Sequence, residues 1–257
     1  MKTDTITEYD GTGNTHRDIR TYSYSGNKLV SEIKREVGGL TDRQTFRYAT
    51  TLSIGAAGDM AEQHILTPLL EYNRYITYPG VSEERAEKTL VDYGSFYFPS
   101  KTIYAPINTY HGYATNSPKL ELTFNNYDRY GNVNSVTTPS NVETVYVWGY
   151  HGRKLIAKVE NASYAEVTAI LGNLSTFAEQ QEPDYSLLNQ LYTSLPDARV
   201  SIYSHDLTYG LSDISDFNHL STHYKYDLYG RLKGIYDNDH HVVNWFDYNY
   251  VVEPSHH

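Results

Sequence analysis

Apolar and polar positions alternate over short stretches of this chain, and glycine, asparagine and aspartate break the alternation at frequent intervals. That pattern predicts an antiparallel meander. Arg20-Thr21-Tyr22-Ser23-Tyr24 reads as a strand and Ser25-Gly26-Asn27 as a turn. Residues 28–36 form the return strand, with Leu29, Ser31 and Ile33 on one face and Val30, Glu32 and Lys34 on the other. Gly38-Gly39 predicts a second turn and residues 44–48 a further strand. Residues 69–78 read as extended, whereas the charged stretch 82–88 reads as a helical turn or an exposed loop. Phe96-Tyr97-Phe98, Ile103-Tyr104 and residues 120–127 predict short strands punctuated by Pro99, Pro106 and Pro118. Residues 142–150 alternate cleanly, with Val145, Val147 and Gly149 on one face and Tyr146, Trp148 and Tyr150 on the other. Residues 154–160 continue as a strand.

Two stretches depart from the period of two. Residues 56–63 predict a short helix, with Pro68 barring its extension. Residues 161–197 change character more fully. Ser163 with Glu166 three positions on has the form of a capping box, and Val167, Ile170, Leu171 and Leu174 follow at helical spacing. A second helix is predicted over 184–195, lined by Leu187, Leu188, Leu191 and Leu195 and ended by Pro196. Strands resume at 198 and run to 252, with Asp237-Asn238-Asp239 as the turn of the last hairpin. The expected fold is mainly β, an antiparallel hairpin or meander sheet with a small helical insertion. The expected organisation is a β region over 1–160, a two-helix insertion over 161–197 and β-hairpins over 198–257.

Composition sharpens this picture. The 257 residues include 27 Tyr against 7 Phe and 2 Trp. Tyrosine packs well on a pleated surface but carries a hydroxyl that needs a partner, so it suits sheets whose faces stay partly wet. A net charge of −10 argues against nucleic acid as a partner, since counterion release requires a dense basic face. Without cysteine there are no disulfides, thiolate metal sites or cysteine nucleophiles. No stretch approaches the ~18 apolar residues of a membrane helix. Met1-Lys2-Thr3-Asp4 lacks the apolar core of a secretory signal, so an exported protein would carry its signal outside these residues.

One motif recurs. Tyr127-Asp128-Arg129-Tyr130-Gly131-Asn132-Val133 matches Tyr226-Asp227-Leu228-Tyr229-Gly230-Arg231-Leu232 at its Tyr, Asp, Tyr, Gly and final aliphatic positions. Tyr9-Asp10-Gly11-Thr12-Gly13-Asn14 is a looser copy, and Tyr24-Ser25-Gly26-Asn27-Lys28-Leu29 a more degenerate one. The first tyrosine closes a strand, the aspartate accepts hydrogen bonds from N–H groups just ahead of it, and the glycine supplies a positive φ. At these residues the sequence resembles the YD-repeat (Rhs) family. Tyr226 to Leu232 and Trp245 to Tyr250 lie close to its repeat. Tyr146-Val147-Trp148-Gly149-Tyr150 with the helical insertion is similar to the carboxy-terminal part of large YD-repeat proteins of Bacteroidetes. The resemblance implies a spiralling sheet of many hairpins. In some members that sheet closes into a shell around a toxic cargo, and others stand on the cell surface and are linked to carbohydrate binding. No Asp-Pro-rich self-cleavage region or cargo follows the last repeat, so toxin delivery is not expected of this stretch.

Candidate chemistry is weighed against that background. Asp213 with Asp216, or Asp237 with Asp239, could serve as the paired carboxylates of a glycosidase. As turn residues they are instead expected to cap backbone N–H groups. His219 and His223 are four apart but fall on a strand, and His240 and His241 point to opposite faces, so no metal site and no cofactor are expected. No Gly-x-Ser-x-Gly elbow is present, and Gly11-Thr12-Gly13 lacks the phosphate-cradling pattern. The aromatic groups Tyr146, Trp148 and Tyr150, and Trp245, Tyr248 and Tyr250, are the candidate binding residues for a sugar or protein partner. Packing between sheet and helices is the competing role. The expected function is a structural segment of an exported or cell-surface YD-repeat protein, not an enzyme. Its partners would be the remainder of a larger repeat protein or another copy. A carbohydrate- or protein-binding module, directed for example at surface glycan, is the alternative, and a glycoside hydrolase ranks third.

Overall fold

The computed structural model describes residues 1–9, 15–51 and 55–248. Among the described residues there are sixteen strands, and their order in the sheet is their order in the chain. The mainly β meander expected from the alternation is what forms. Two compact units are distinguished, one made of residues 1–125 and 137–140 and the other of 126–136 and 141–257.

In the first unit the strands are β1 (Lys2–Tyr9), β2 (Thr15–Tyr24), β3 (Val30–Val37), β4 (Leu40–Tyr48), β5 (Leu69–Thr77), β6 (Glu84–Phe98), β7 (Lys101–Tyr113) and β8 (Lys119–Tyr127), which begins here. A 3-10 turn at Ala49–Thr51 and helix α1 (Gly55–Glu62) separate β4 from β5. Neighbouring strands pair antiparallel. Among the described residues few apolar side chains of this unit are buried: Ala49, Met60, Leu70 and Ala105. Its faces carry cross-strand charge pairs instead. Arg74 grips Asp42 with Nε at 3.0 and 3.1 Å and Nη2 at 2.7 Å. Arg35 holds Asp18 in the same manner. On the opposite face Arg43 reaches Glu32 at 3.3 Å and lies 4.2 Å over the Tyr75 ring. Glu71 is bound by both Arg47 and Lys88.

Two local expectations fail in this unit. The charged stretch 82–88 is no loop, because β6 begins at Glu84 and runs for 15 residues. Several of its charges are compatible with a strand because they have partners on neighbouring segments. Arg85 donates to the Ala114 and Asn116 carbonyls, and Lys88 pairs with Glu71. The short strands expected around Pro99 and Pro106 are likewise parts of one long hairpin, paired from Glu87↔Tyr113 to Phe98↔Lys101. Pro106 sits within β7 beside a register shift, opposite Tyr93, and such an irregularity tolerates a residue that cannot donate to the ladder.

The second unit holds β9 (Val133–Thr137, as far as Val136), β10 (Glu143–Gly149), β11 (Lys154–Glu160), β12 (Arg199–Asp206), β13 (Gly210–Ser215), β14 (Ser221–Tyr226), β15 (Leu232–Tyr236) and β16 (Val242–Trp245). Helices α2 (Tyr164–Leu171), α3 (Leu174–Glu179) and α4 (Tyr185–Ser194) intervene between β11 and β12. Here a true core forms. Val145, Val147, Ala157, Val159, Val200 and Ile202 share one sheet face. They pack with Val167 and Leu171 of α2, Leu174 and Phe177 of α3, and Leu188 and Leu191 of α4. Gly149 ends β10 where space is scarce, since a Cβ there would fall 2.9 Å from Pro183 and 3.1 Å from Ile156.

The capping box forms as read from the sequence. Ser163 Oγ accepts from the Glu166 N–H, and the Ser163 N–H donates to the Glu166 carboxylate. The helices number three rather than two. Gly172, at φ +76°, breaks the periodic run, and Asn173 starts a new helix by accepting from the Ser175 N–H. Leu174 therefore belongs to α3. Replacing the fully buried Leu188 with alanine should cost about 3 kcal/mol. Replacing Leu228, which is 90% exposed, should change stability by under about 0.5 kcal/mol. Paired urea melts check the contrast.

Candidate functional site

The recurrent motif folds as a five-residue corner. At Asp128 the backbone N–H donates to the Asn132 carbonyl and the Gly131 N–H donates back to the Asp128 carbonyl. The carboxylate Oδ1 then accepts from the N–H groups of Tyr130 and Asn132, at 2.8 and 2.9 Å. The corner at Asp227 repeats every one of these bonds, with Tyr229, Gly230 and Arg231 in the corresponding places. Gly131 and Gly230 have φ of +94° and +75°, which glycine adopts without a Cβ clash. The tyrosines close their strands as read from the sequence, with Tyr127 ending β8, Tyr226 ending β14 and Tyr9 ending β1. Asp10 and Gly13 lie outside the described residues.

Two further corners escaped the motif. Asp216 and Asp237 make the same pattern, closing on Leu220 and His241. Their left-handed residues are His219 and His240, at φ +61° and +62°. Asp237 follows Tyr236, so Tyr236-Asp237-Asn238-Asp239-His240-His241-Val242 keeps the first tyrosine, the aspartate and the final aliphatic residue, with Asp239 and His240 in place of the second tyrosine and the glycine. Histidine tolerates that backbone region better than most side chains and stands in for glycine at both. The degenerate copy at Ser25 has the two backbone bonds of the corner, with Lys28 at φ +61°.

The corners differ in what surrounds the carboxylate. Asp128 is fully buried and also accepts from Asn132 Nδ2, which itself donates to the Gly152 carbonyl. Gly152 lies so close beneath the Tyr130 ring that a Cβ there would come within 2.3 Å of it. At Asp227 the Arg231 guanidinium replaces the amide, at 2.6 and 2.8 Å. Burial opposes ionisation of Asp227, but the N–H groups of Arg231 and Tyr229, together with the guanidinium, outweigh it and hold the carboxyl below its ordinary value. The N–H of His241 is the main cause of a similar depression at Asp237.

The aromatic candidates separate. Tyr146 and Trp148 are half-buried, and Trp148 donates its indole N–H to the Val133 carbonyl at 2.8 Å. Tyr150 does not share their face. β10 ends at Gly149, and Tyr150 turns into the core at φ +53° with 9% exposure. Its hydroxyl meets that of Tyr185 at 3.2 Å. Burial raises the Tyr185 hydroxyl well above its ordinary value and pushes Tyr192 up to about 12. Trp245 and Tyr248 are 48% and 38% exposed beside β16. Lys233 lies 5.2 Å over the Trp245 ring and Arg231 4.1 Å over Tyr248. Arg231, Lys233 and Tyr248 join Asp227, Phe246 and Asp247 around a shallow cavity of about 170 Å³. Tyr250 lies outside the described residues. A larger hollow of about 400 Å³ lies beside α1, between Arg47, Glu71 and Asp92 over Leu70 and Ile107.

The acids considered for hydrolysis hold other partners. Asp216 and Asp237 accept corner N–H groups, as expected of turn residues, while Asp213 accepts from His223 Nδ1 at 2.6 Å. Among the described residues no group of three or more His, Asp or Glu is arranged to hold a metal ion. His205 packs against Tyr150 and donates from Nε2 to the Leu155 carbonyl, leaving Nδ1 buried with no partner among the described residues. Burial lowers the His205 proton affinity below the ordinary imidazole value of 6.5.

No protein-family model matches the sequence, and no curated protein matches it. Among solved structures, the chain is similar to TcdB2-TccC3 without its hypervariable C-terminal region, at 8% identity and a TM-score of 0.40, over 93% of this chain and 12% of that one. It is similar also to the Tc holotoxin pore of Photorhabdus luminescens, at 9% identity and a TM-score of 0.35, over 88% of this chain and 12% of that one. A complex described as TcdB2-TccC3-Cdc42 is matched at 9% identity and a TM-score of 0.35, over 93% and 15% of the respective chains. The chain thus spans well under two thirds of the structures it matches.

Corner burial sets the size of two expected effects. Asp128→Ala strands two N–H groups away from water and should cost about 3 kcal/mol, whereas Asp216→Ala, in an exposed corner, should cost about 1 kcal/mol. Chemical denaturation of the two variants measures both. His205 supplies a pH dependence. Its folded-state value lies below the unfolded one, so in the window beneath pH 6.5 the unfolded chain binds more protons and stability falls with acidification. Stability above that window is unaffected. A series of melts from pH 7.5 to 5 should show this loss and should show less of it in His205→Gln.

Proposed function

We propose that this chain is a scaffold segment of a YD-repeat (Rhs-like) protein, a stretch of wall made by laying β-ribbons side by side. The observation that carries this reading is the repeated Asp corner. The same five-residue solution, with the same four hydrogen bonds, returns the chain at residues 128, 216, 227 and 237. A device used repeatedly to make strand follow strand in chain order serves extension of a sheet. Carboxylates engaged as turn acceptors support a non-catalytic role, since they are held as hydrogen-bond acceptors in place. The wider reading places the segment in a larger exported or cell-surface polypeptide, of the kind found in Bacteroidetes, whose other ribbons or second copies are its partners.

A second reading rests on the exposed Trp245 and Tyr248, each with a cation over its ring. That surface has the chemistry to stack a sugar or anchor a protein chain. A glycan array probed with the purified chain and with Trp148→Ala and Trp245→Ala variants separates the two. The scaffold reading expects no saturable binding. Binding lost in Trp245→Ala and retained in Trp148→Ala would transfer the function to the aromatic surface near β16.

A further inference from the structure

In the second unit four aromatic rings near strand ends donate to backbone carbonyls of the strand before. Trp148, His205, Tyr226 and Tyr248 reach the carbonyls of Val133, Leu155, Leu211 and Leu232 at 2.8, 2.8, 2.8 and 2.7 Å. Each carbonyl belongs to the first or second residue of a strand that leaves a turn: β9, β11, β13 or β15. The spacing is constant. The ladders nearest these carbonyls end at Ala157↔Ile202, Asp213↔His223 and Gly234↔Trp245. In every case the carbonyl lies two residues before the first member of the pair and the donor three residues after the second. In the first unit Tyr48 donates to the Val30 carbonyl at 3.0 Å and keeps the same relation to Glu32↔Thr45. Three donors also stand directly after a register shift, each opposite the residue whose carbonyl the next donor takes: Trp148 opposite Leu155, His205 opposite Leu211, Tyr226 opposite Leu232. The ties thus form one row across the second unit, from Val133 to Tyr248.

We propose that this row is a register seam, in which a hydrogen-bond-donating ring, aimed by a bulge, closes the turn end of each hairpin. In the Tyr-Asp pair at 226–227 the two residues then serve different ribbons: the tyrosine closes the hairpin behind it and the aspartate turns the chain into the next.

The chemistry follows from the arrangement. Where a ladder stops short of a turn, the carbonyls beyond it need another donor. A phenol O–H, an indole N–H and an imidazole N–H all sit at the far edge of a flat ring, long enough to reach across to the neighbouring strand. Tyr, Trp and His therefore interchange along the row, whereas Phe would fill the space without donating. A bulge bends its strand and re-aims the side chain that follows it. The row also penalises misalignment. Slipping β14 by one residue turns Tyr226 to the other face, and slipping it by two carries the hydroxyl roughly 7 Å from Leu211. This matters most toward β16, where Val242–Trp245 is exposed throughout and apolar burial cannot fix the alignment. The seam deepens the scaffold reading by naming what joins ribbon to ribbon, yet it rests on bonds within the sheet and stands equally if the surface near β16 binds a glycan.

Residue-resolved NMR on the intact chain tests the seam. Tyr226→Phe keeps the ring and removes the donor. It should shift the Leu211 carbonyl carbon and lower amide protection at the turn end of β13 about fivefold, the effect of losing one such bond. The Tyr229 and Arg231 amides, which Asp227 holds, should keep their protection. Trp148→Phe should shift the Val133 carbonyl and leave Leu211 unchanged. Tyr236→Phe, which removes a hydroxyl outside the row, should shift neither. An unmoved Leu211 carbonyl in Tyr226→Phe, or a loss of protection centred on Tyr229 and Arg231 instead of β13, overturns the proposal.

Discussion

The structure depends on a carboxylate accepting hydrogen bonds from the backbone it has just turned. A strand end carries N–H groups that lose their ladder partners, and leaving them unmet in a packed sheet is costly. Asp128, Asp216, Asp227 and Asp237 meet that need within five residues and without help from elsewhere in the chain. The geometry then demands one left-handed residue, supplied by Gly131, His219, Gly230 and His240. Because both requirements are satisfied locally, each ribbon can follow the last with no long connection.

The two units solve the problem of register differently. A strand with polar residues on both faces has little to stop it slipping by a residue. In the first unit the pairs Arg74–Asp42, Arg35–Asp18 and Arg43–Glu32 link neighbouring strands and penalise any shift, though each is partly exposed and adds little net stability. In the second unit the register of β10 to β12 is set by apolar burial, since slipping would turn Val145, Val147 and Val159 away from the helices. Buried aliphatic residues collect where three helices cover one face of the sheet.

Much of this was legible in the residues. Alternation located most strands, and the capping box at Ser163 located the start of α2. The strand at Glu84 was not legible, because its charges gain meaning only beside Glu71 on β5 and the Ala114 carbonyl in the turn after β7. α3 was hidden by the apolar spacing that seemed to join Leu174 to α2, although Gly172-Asn173 marked the break. Of the candidate site, the corners at Asp128 and Asp227 could be read in detail. Those at Asp216 and Asp237 were missed as copies because histidine stands where glycine was sought and Asn218 and Asp239 stand at the second tyrosine's place. The grouping of Tyr150 with Tyr146 and Trp148 assumed that alternation continued past Gly149, where the strand stops.

Corners that close within five residues make the ribbons modular. Removing or duplicating two successive strands leaves the chain travelling in the same direction, with the same side chains on the same face. Histidine in place of glycine then lets individual modules drift in sequence while the backbone path stays constant. A lineage built this way can lengthen or shorten its wall in steps of one hairpin, and successive modules can lose visible kinship to one another long before they lose their shape.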